Sequence, residues 1–165
     1  MAAPELLSDE GYRADGRRPE EIRQVRARMG IFARADGSAY IEQGNTKALA
    51  VVYGPHEVRV ARGRALPDRA LVSCRFSLAT FSTGERRRRP HGDRLTAELA
   101  LHLRQSLETA ILTGLHPRSQ IDIHVQILQA DGGELCAGLN AASLALLDAG
   151  IPLRDRLCAG SAGLA

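Results

Sequence analysis

The chain reads as an α+β domain, a mixed β-sheet packed with α-helices in the order ββββαβαβ. Three observations predict this. Residues 25–78 hold four short segments of strand-like apolar patterning divided by glycine-containing turns or loops. Leu99, Leu103, Leu107, Ala110 and Ile111 recur at helical spacing. A strictly alternating segment, Ile121 to Ile127, then separates that helix from a second one. A run of strands with two helices fits a sheet covered by helices rather than a bundle or a barrel. The 165 residues suit one domain, divided into a polar N-terminal segment over 1–22 and the domain proper over 23–165.

Taken in order, Val25 to Phe32 reads as the first strand, and Asp36-Gly37-Ser38 as a hairpin turn leading to a second strand at Ala39 to Glu42. Gln43-Gly44-Asn45-Thr46 is a further turn. Ala48 to Tyr53 is a continuous apolar run expected to be buried on both faces and stopped by Gly54-Pro55. Residues 56–68 form an arginine-rich loop, and Leu71 to Leu78 is the fourth strand. Asp93 is placed to cap the first helix, with Gly114 as its left-handed stop and Pro117 beyond. Asp131-Gly132-Gly133 is a turn. The second helix spans about Leu139 to Asp148 and stops at Gly150, ahead of Pro152; Ala141, Ala142 and Ala145 let it pack closely as an internal helix. Leu157 to Ala165 has the small and apolar residues of an opening strand with no turn or cap after it. This predicts a domain incomplete at its C-terminus, as in a shortened isoform or an incomplete gene model.

Composition narrows function. Net charge is +3 with a pI near 9.1, mildly basic, and the arginines cluster at Arg13–Arg28, Arg59–Arg69 and Arg86–Arg94. With no tryptophan and 4% aromatic residues, extensive base stacking is not expected, so nucleic-acid binding would rest on charge. Cys74, Cys136 and Cys158 form neither a CxxC pair nor a disulfide framework, which predicts buried reduced thiols and a reducing compartment. The acidic start lacks the apolar core of a signal peptide, and no apolar run reaches membrane-spanning length. His56, His91, His102, His116 and His124 show no metal-ligand spacing, and no Walker loop, dinucleotide fingerprint or GxSxG elbow is present. Neither cofactor nor metal is expected.

The most informative segment is Ala79 to Arg94, which sets Arg86, Arg87, Arg88 and Arg89 between a strand and a strong helix. Guanidinium forks match phosphate oxygens. The run is compatible with RNA or phosphate contact, with a solvated loop and with a nuclear-import signal. The Gly132-Gly133 turn ahead of a helix could offer N–H groups to an anion, or be an ordinary strand-to-helix turn.

Six segments in fixed order carry a resemblance: Tyr12–Arg17, Ile41–Lys47, Val52–Pro55, Phe81–Arg86, Leu128–Gly133 and Leu147–Pro152. Each is weak alone; the ordered set resembles the RNase PH family, and within it the ring subunits of the RNA exosome. The resemblance implies an RNase PH-like domain, here its N-terminal portion. Active members cleave RNA from its 3′ end with inorganic phosphate, holding phosphate and RNA backbone with arginines. This chain departs from them: Leu95 stands where an arginine is expected at the start of the long helix, and Glu134 and Leu135 follow the Gly-Gly turn in place of Ser or Thr and Arg. The family's later catalytic aspartates lie beyond Ala165.

The resemblance therefore implies no catalytic residue here, and a non-catalytic member of a hetero-hexameric ring of RNase PH-like subunits. Such a ring passes single-stranded RNA, sequence-tolerantly, toward a hydrolytic nuclease and carries cap subunits. Arg62, Arg64, Arg86, Arg87, Arg88, Arg89 and Arg94 match RNA-contacting segments of such rings. The implied work is rRNA maturation and mRNA decay in nucleus, nucleolus and cytoplasm. An active phosphorolytic exoribonuclease is the alternative, and a fragment without a cellular role is a third reading.

Overall fold

Two layers build the molecule, a five-stranded sheet and a pair of helices sharing one core with it. In the computed structural model, residues 8, 10–13, 15–58, 67–86 and 93–163 are described. The strands are β1 (Val25–Met29), β2 (Gly37–Gln43), β3 (Thr46–Glu57), β4 (Leu71–Leu78) and β5 (Ser119–Gln129), in the spatial order β1-β2-β3-β5-β4. All neighbours run antiparallel except β4 and β5, which are parallel. A parallel pair needs a long crossover, and α1 (Arg94–Ala110) supplies it. The second helix, α2 (Glu134–Asp148), lies across β2 and β3 and reaches β5.

The core follows from alternation. Ala39 and Ile41 on β2, Ala48, Ala50 and Val52 on β3, Ile121, Ile123, Val125 and Ile127 on β5, and Val72, Phe76 and Leu78 on β4 are buried on one sheet face. They meet Leu103, Leu107 and Ile111 around α1, and Ala137, Ala141, Ala142, Ala145 and Leu146 of α2. The opposite face, with Tyr40, Leu49, Val51, Asp122 and His124, is half-buried, so β3 is fully covered on one side only. β1 is exposed throughout, and its Arg26 and Arg28 put charge on the open edge.

Small residues let α2 sit close. A Cβ on Gly37 would collide with the Ala145 carbonyl oxygen and lie 2.5 Å from the Ala149 nitrogen. One on Gly138 would lie 3.0 Å from both Phe76 Cε2 and Val125 Cγ1. This seat explains a correction. Gly37 and Ser38, expected in a turn, open β2 instead, because Gly37 passes under α2 and the Ser38 N–H donates to Asp148 Oδ2 at 3.0 Å. The chain reverses earlier, in a turn that the Ala35 N–H closes on the Phe32 carbonyl at 3.3 Å.

Four further expectations change. β3 does not stop at Gly54-Pro55: it continues to Glu57 across a register shift between Tyr53 and His56, which leaves room for a residue without an N–H. Gly114 is not the stop of α1. That helix ends at Ala110, where Ile111 turns extended into the core and bridges Leu153, and the Arg154 N–H donates to the Ala110 carbonyl at 2.8 Å. α2 starts at Glu134, a turn or more before Leu139. The expected last strand at Leu157 is not formed among the described residues, which gives the order ββββαβα. There the backbone partner is a side chain: Asn140 of α2 accepts from the Ala159 N–H at 2.7 Å and donates to its carbonyl at 2.9 Å.

The thiols are not buried as expected: Cys158 is exposed, and Cys74 and Cys136 are half-buried. Burial pushes the Cys74 thiol up to about 12. On the open face, burial and then the nearby Arg75 charge hold His124 below its ordinary value.

Three measurements check this architecture. Gly37→Ala should lower stability by about 1–3 kcal/mol or more through overpacking, read as a fall in urea midpoint. Cys158 should be alkylated first and Cys74 last, since the thiolate is the reactive form. His124 should titrate below about 6.5 by NMR. With its native pKa depressed, the unfolded chain takes up the proton first, so its contribution is full above about 6.5 and lost as pH falls toward the native value.

A candidate RNA-contacting end of the sheet

The start of β3, the ends of β4 and β5 and the start of α2 converge at one end of the sheet. Registry enforces this: Lys47 pairs with Gln129, and Leu78 with Ile127. It is also the carboxyl end of the parallel pair, where open α/β sheets place ligands. Gly44 takes φ 61° in the two-residue turn between β2 and β3, as glycine at the first turn position permits.

Thr46 ties this end together. It is fully buried. Its hydroxyl donates to the Gly132 carbonyl at 2.8 Å and accepts from the Asp131 N–H at 3.3 Å and from Arg23 Nη1 at 3.1 Å. Arg23 also donates to the carbonyls of Gly132 at 3.0 Å and Asp131 at 2.5 Å. The Gly-Gly turn, with φ 83° at Gly132 and 72° at Gly133, is thereby held between β3 and the chain before β1. Arg23 was not singled out in the sequence. It lies among several arginines, and its partners are backbone carbonyls more than a hundred residues away, so no local pattern marks it.

Arg13, Arg17 and Arg23 line a cleft of about 690 Å³ beside Gly132 and Gly133. Their donors are engaged within the protein. Arg17 pairs with Asp15 at 2.6 Å and donates to the Glu21 carbonyl at 2.9 Å. Arg13 donates to the Pro19 carbonyl. The Arg17 hydrogen bond holds the Asp15 carboxyl below its usual value. At the head of α2, Glu134 places a carboxylate in the first turn, favourable to the helix dipole and unfavourable to an anion there. Leu135 packs against the core. Leu95, in the first turn of α1, is exposed. Asp93 occupies the N-cap position of α1 without a side-chain cap bond; instead Thr96 Oγ1 donates to its carbonyl at 2.8 Å.

Of the arginines expected to contact RNA, Arg86 is exposed in the loop after β4. Arg94 opens α1 with its side chain 92% exposed and pairs with Glu98 at 3.3 Å. Arg62, Arg64, Arg87, Arg88 and Arg89 lie outside the described residues, as does His91. The loop after β4 is pinned at its root. Ala79 N–H donates to the Ile127 carbonyl at 2.9 Å, Ser82 N–H to the Ala79 carbonyl at 3.0 Å, and Ala130 N–H to the Ser82 carbonyl at 2.8 Å. A cleft of about 540 Å³ opens there, with Asn45, Lys47, Phe81 and Asp131 in its walls. No cluster of potential metal ligands occurs among the described residues. No helix there is long and apolar enough to cross a membrane.

Comparison with known proteins accords with the fold. Residues 21–152 match a family model described as RNase PH, 3′ exoribonuclease family, domain 1. The chain is 73% identical over 163 residues to the exosome complex component RRP41 of Homo sapiens, covering 99% of this chain and 66% of that protein. It is 53% identical over 159 residues to the RRP41 homolog of Arabidopsis thaliana, covering 96% of this chain and 66% of that one. The crystal structure of rice (Oryza sativa) Rrp46 superposes with a TM-score of 0.74 at 31% identity, over 87% of this chain and 64% of that one. The chain thus spans about two thirds of the length of these relatives.

Thr46→Val should leave the Asp131 N–H and the Gly132 carbonyl without their hydroxyl partner. It should cost about 1–3 kcal/mol in chemical denaturation and speed amide exchange at Asp131.

Proposed function

The chain belongs to the RNase PH family, and on that premise we propose that it is a non-catalytic, RNA-contacting subunit of an RNA exosome ring. The observation that carries the reading is 73% identity, over nearly the whole chain, to a protein named as an exosome component. RNase PH-like subunits are its ring partners, and single-stranded RNA is the ligand. The ring supports 3′ to 5′ processing and decay, including rRNA maturation and mRNA decay, in nucleus, nucleolus and cytoplasm. It carries cap subunits and delivers RNA to a hydrolytic nuclease.

Charge placement supports guidance without phosphorolysis. Phosphorolysis needs cations aimed at an attacking phosphate. At the Gly-Gly turn the neighbouring arginines are bound to carbonyls and to Asp15, and Glu134 and Leu135 occupy the head of α2. At the loop after β4, Arg86 and Arg94 are exposed. Contacts to phosphates alone position RNA without reading its bases, which suits a channel that accepts any sequence. The phosphorolytic alternative needs a phosphate site built from residues other than Leu95, Glu134 and Leu135.

Two experiments test this. The chain, co-expressed with an RNase PH-like partner subunit and purified as a complex, should bind end-labelled RNA and leave it intact with or without phosphate. Phosphate-dependent release of nucleoside diphosphates would establish the alternative, and failure to recover any complex would refute ring membership. Replacing Arg86, Arg87, Arg88 and Arg89 by glutamate should weaken RNA binding and flatten log K against log salt by about 3, roughly 0.7 for each phosphate no longer neutralised. An unchanged slope would remove the arginine run from the RNA path.

A further inference from the structure

The proposed RNA path has an aromatic feature that charge alone does not explain. The Ser82 N–H to Ala79 carbonyl bond, at 3.0 Å, closes a β-turn with Thr80 and Phe81 at its tip. Both ends of that turn are tied down, one to β5 through the Ile127 carbonyl and the other to the residue after that strand through the Ala130 N–H. Phe81 is therefore held on a rigid mount, and it is 71% exposed. A phenyl ring gains nothing from water, and among the described residues Phe81 takes no part in the buried core.

Two hollows meet at this residue. One, about 540 Å³, has Lys47 and Asn45 in its walls; the other, about 470 Å³, has Arg86. Phe81 lines both; Lys47 shares the first with Asp131, and Arg86 stands in the wall of the second. Lys47 is the only lysine of the chain. Ser82, in the wall of the first hollow, is 3% exposed, and its hydroxyl has no hydrogen-bond partner among the described residues. Buried hydroxyls are nearly always satisfied, so this wall retains hydrogen-bonding capacity.

We propose that Phe81 is a base-stacking platform that holds one nucleotide of a passing RNA strand, with Lys47 and Arg86 taking the phosphates on either side. The inference rests on the RNA-contacting role argued above and adds a contact to the base. Every base has a π-face, so a single platform grips the strand without choosing a sequence. A cation in the wall of each hollow sets the strand's path across the ring.

The test uses the full chain, an oligouridine and a ribose-phosphate strand of equal length without bases. Phe81→Ala should weaken oligouridine binding by about 5- to 100-fold, with little effect on the abasic strand and no change in salt slope. Arg86→Glu should weaken both strands and flatten the slope. Because the chain has no tryptophan, Phe81→Trp supplies a single reporter. Its emission should be quenched by oligouridine and not by the abasic strand, and the tryptophan variant should bind oligouridine more tightly than Phe81→Ala. Circular dichroism of each variant checks that the exposed side chain has not been needed for folding. If Phe81→Ala binds both strands as the parent does while Arg86→Glu weakens them, the platform is refuted and the RNA role stands. If the parent chain binds neither strand, the RNA role and the platform fall together.

Discussion

The close seat of α2 on β2 and β3 is the constraint on which the rest of the structure depends. Alanines at 137, 141, 142 and 145 face a sheet surface that is itself rich in alanine at 39, 48 and 50, with Gly37 and Gly138 at the tightest contacts. Small residues on both sides lower the separation between layers, and dispersion contacts rise steeply as that gap closes. The result is a helix whose axial position has little freedom. Its last turn is fixed by Asp148 on the Ser38 N–H, and its middle by Asn140 on Ala159.

A helix fixed in this way also fixes what precedes it. The Gly132-Gly133 turn cannot drift from the start of β3, and Thr46 and Arg23 close the remaining space with hydrogen bonds to its carbonyls. Because β4 is parallel to β5 and in register with it, the loop after β4 emerges beside the same turn. A rigid frame therefore carries the loop with Phe81 and Arg86 at its edge. Preorganised contacts of this kind bind with less loss of side-chain and loop freedom than contacts that must be ordered first.

Charge at this end is divided into two populations. Arg13, Arg17 and Arg23 serve the fold, with donors engaged by Pro19, Asp15, Glu21, Gly132 and Asp131. Arg86 and Arg94 stand in solvent, Arg94 with a surface partner in Glu98 whose attraction is weak at that exposure. Counting arginines in the sequence cannot separate these groups. A guanidinium bound to backbone carbonyls is part of the scaffold, while one in water can exchange its hydration for a phosphate.

The sequence by itself determined the class of fold, the four N-terminal strands in order, the full span of β4, the alternation of β5 and the apolar stripe of α1. These are properties of local periodicity, and burial on one face must leave them in the sequence. It also carried the family resemblance, because ordered turn and strand motifs survive as sequence. Tertiary structure alone decided several of the boundaries. Gly37 became a strand residue because α2 lies over it, β3 passed Gly54-Pro55 because β5 absorbed the register shift, and Ile111 left α1 because the core and Leu153 claimed it. The roles of Arg23 and Thr46 were likewise set by partners far along the chain. Such long-range geometry has no periodic signature, so it becomes visible only when the chain is folded.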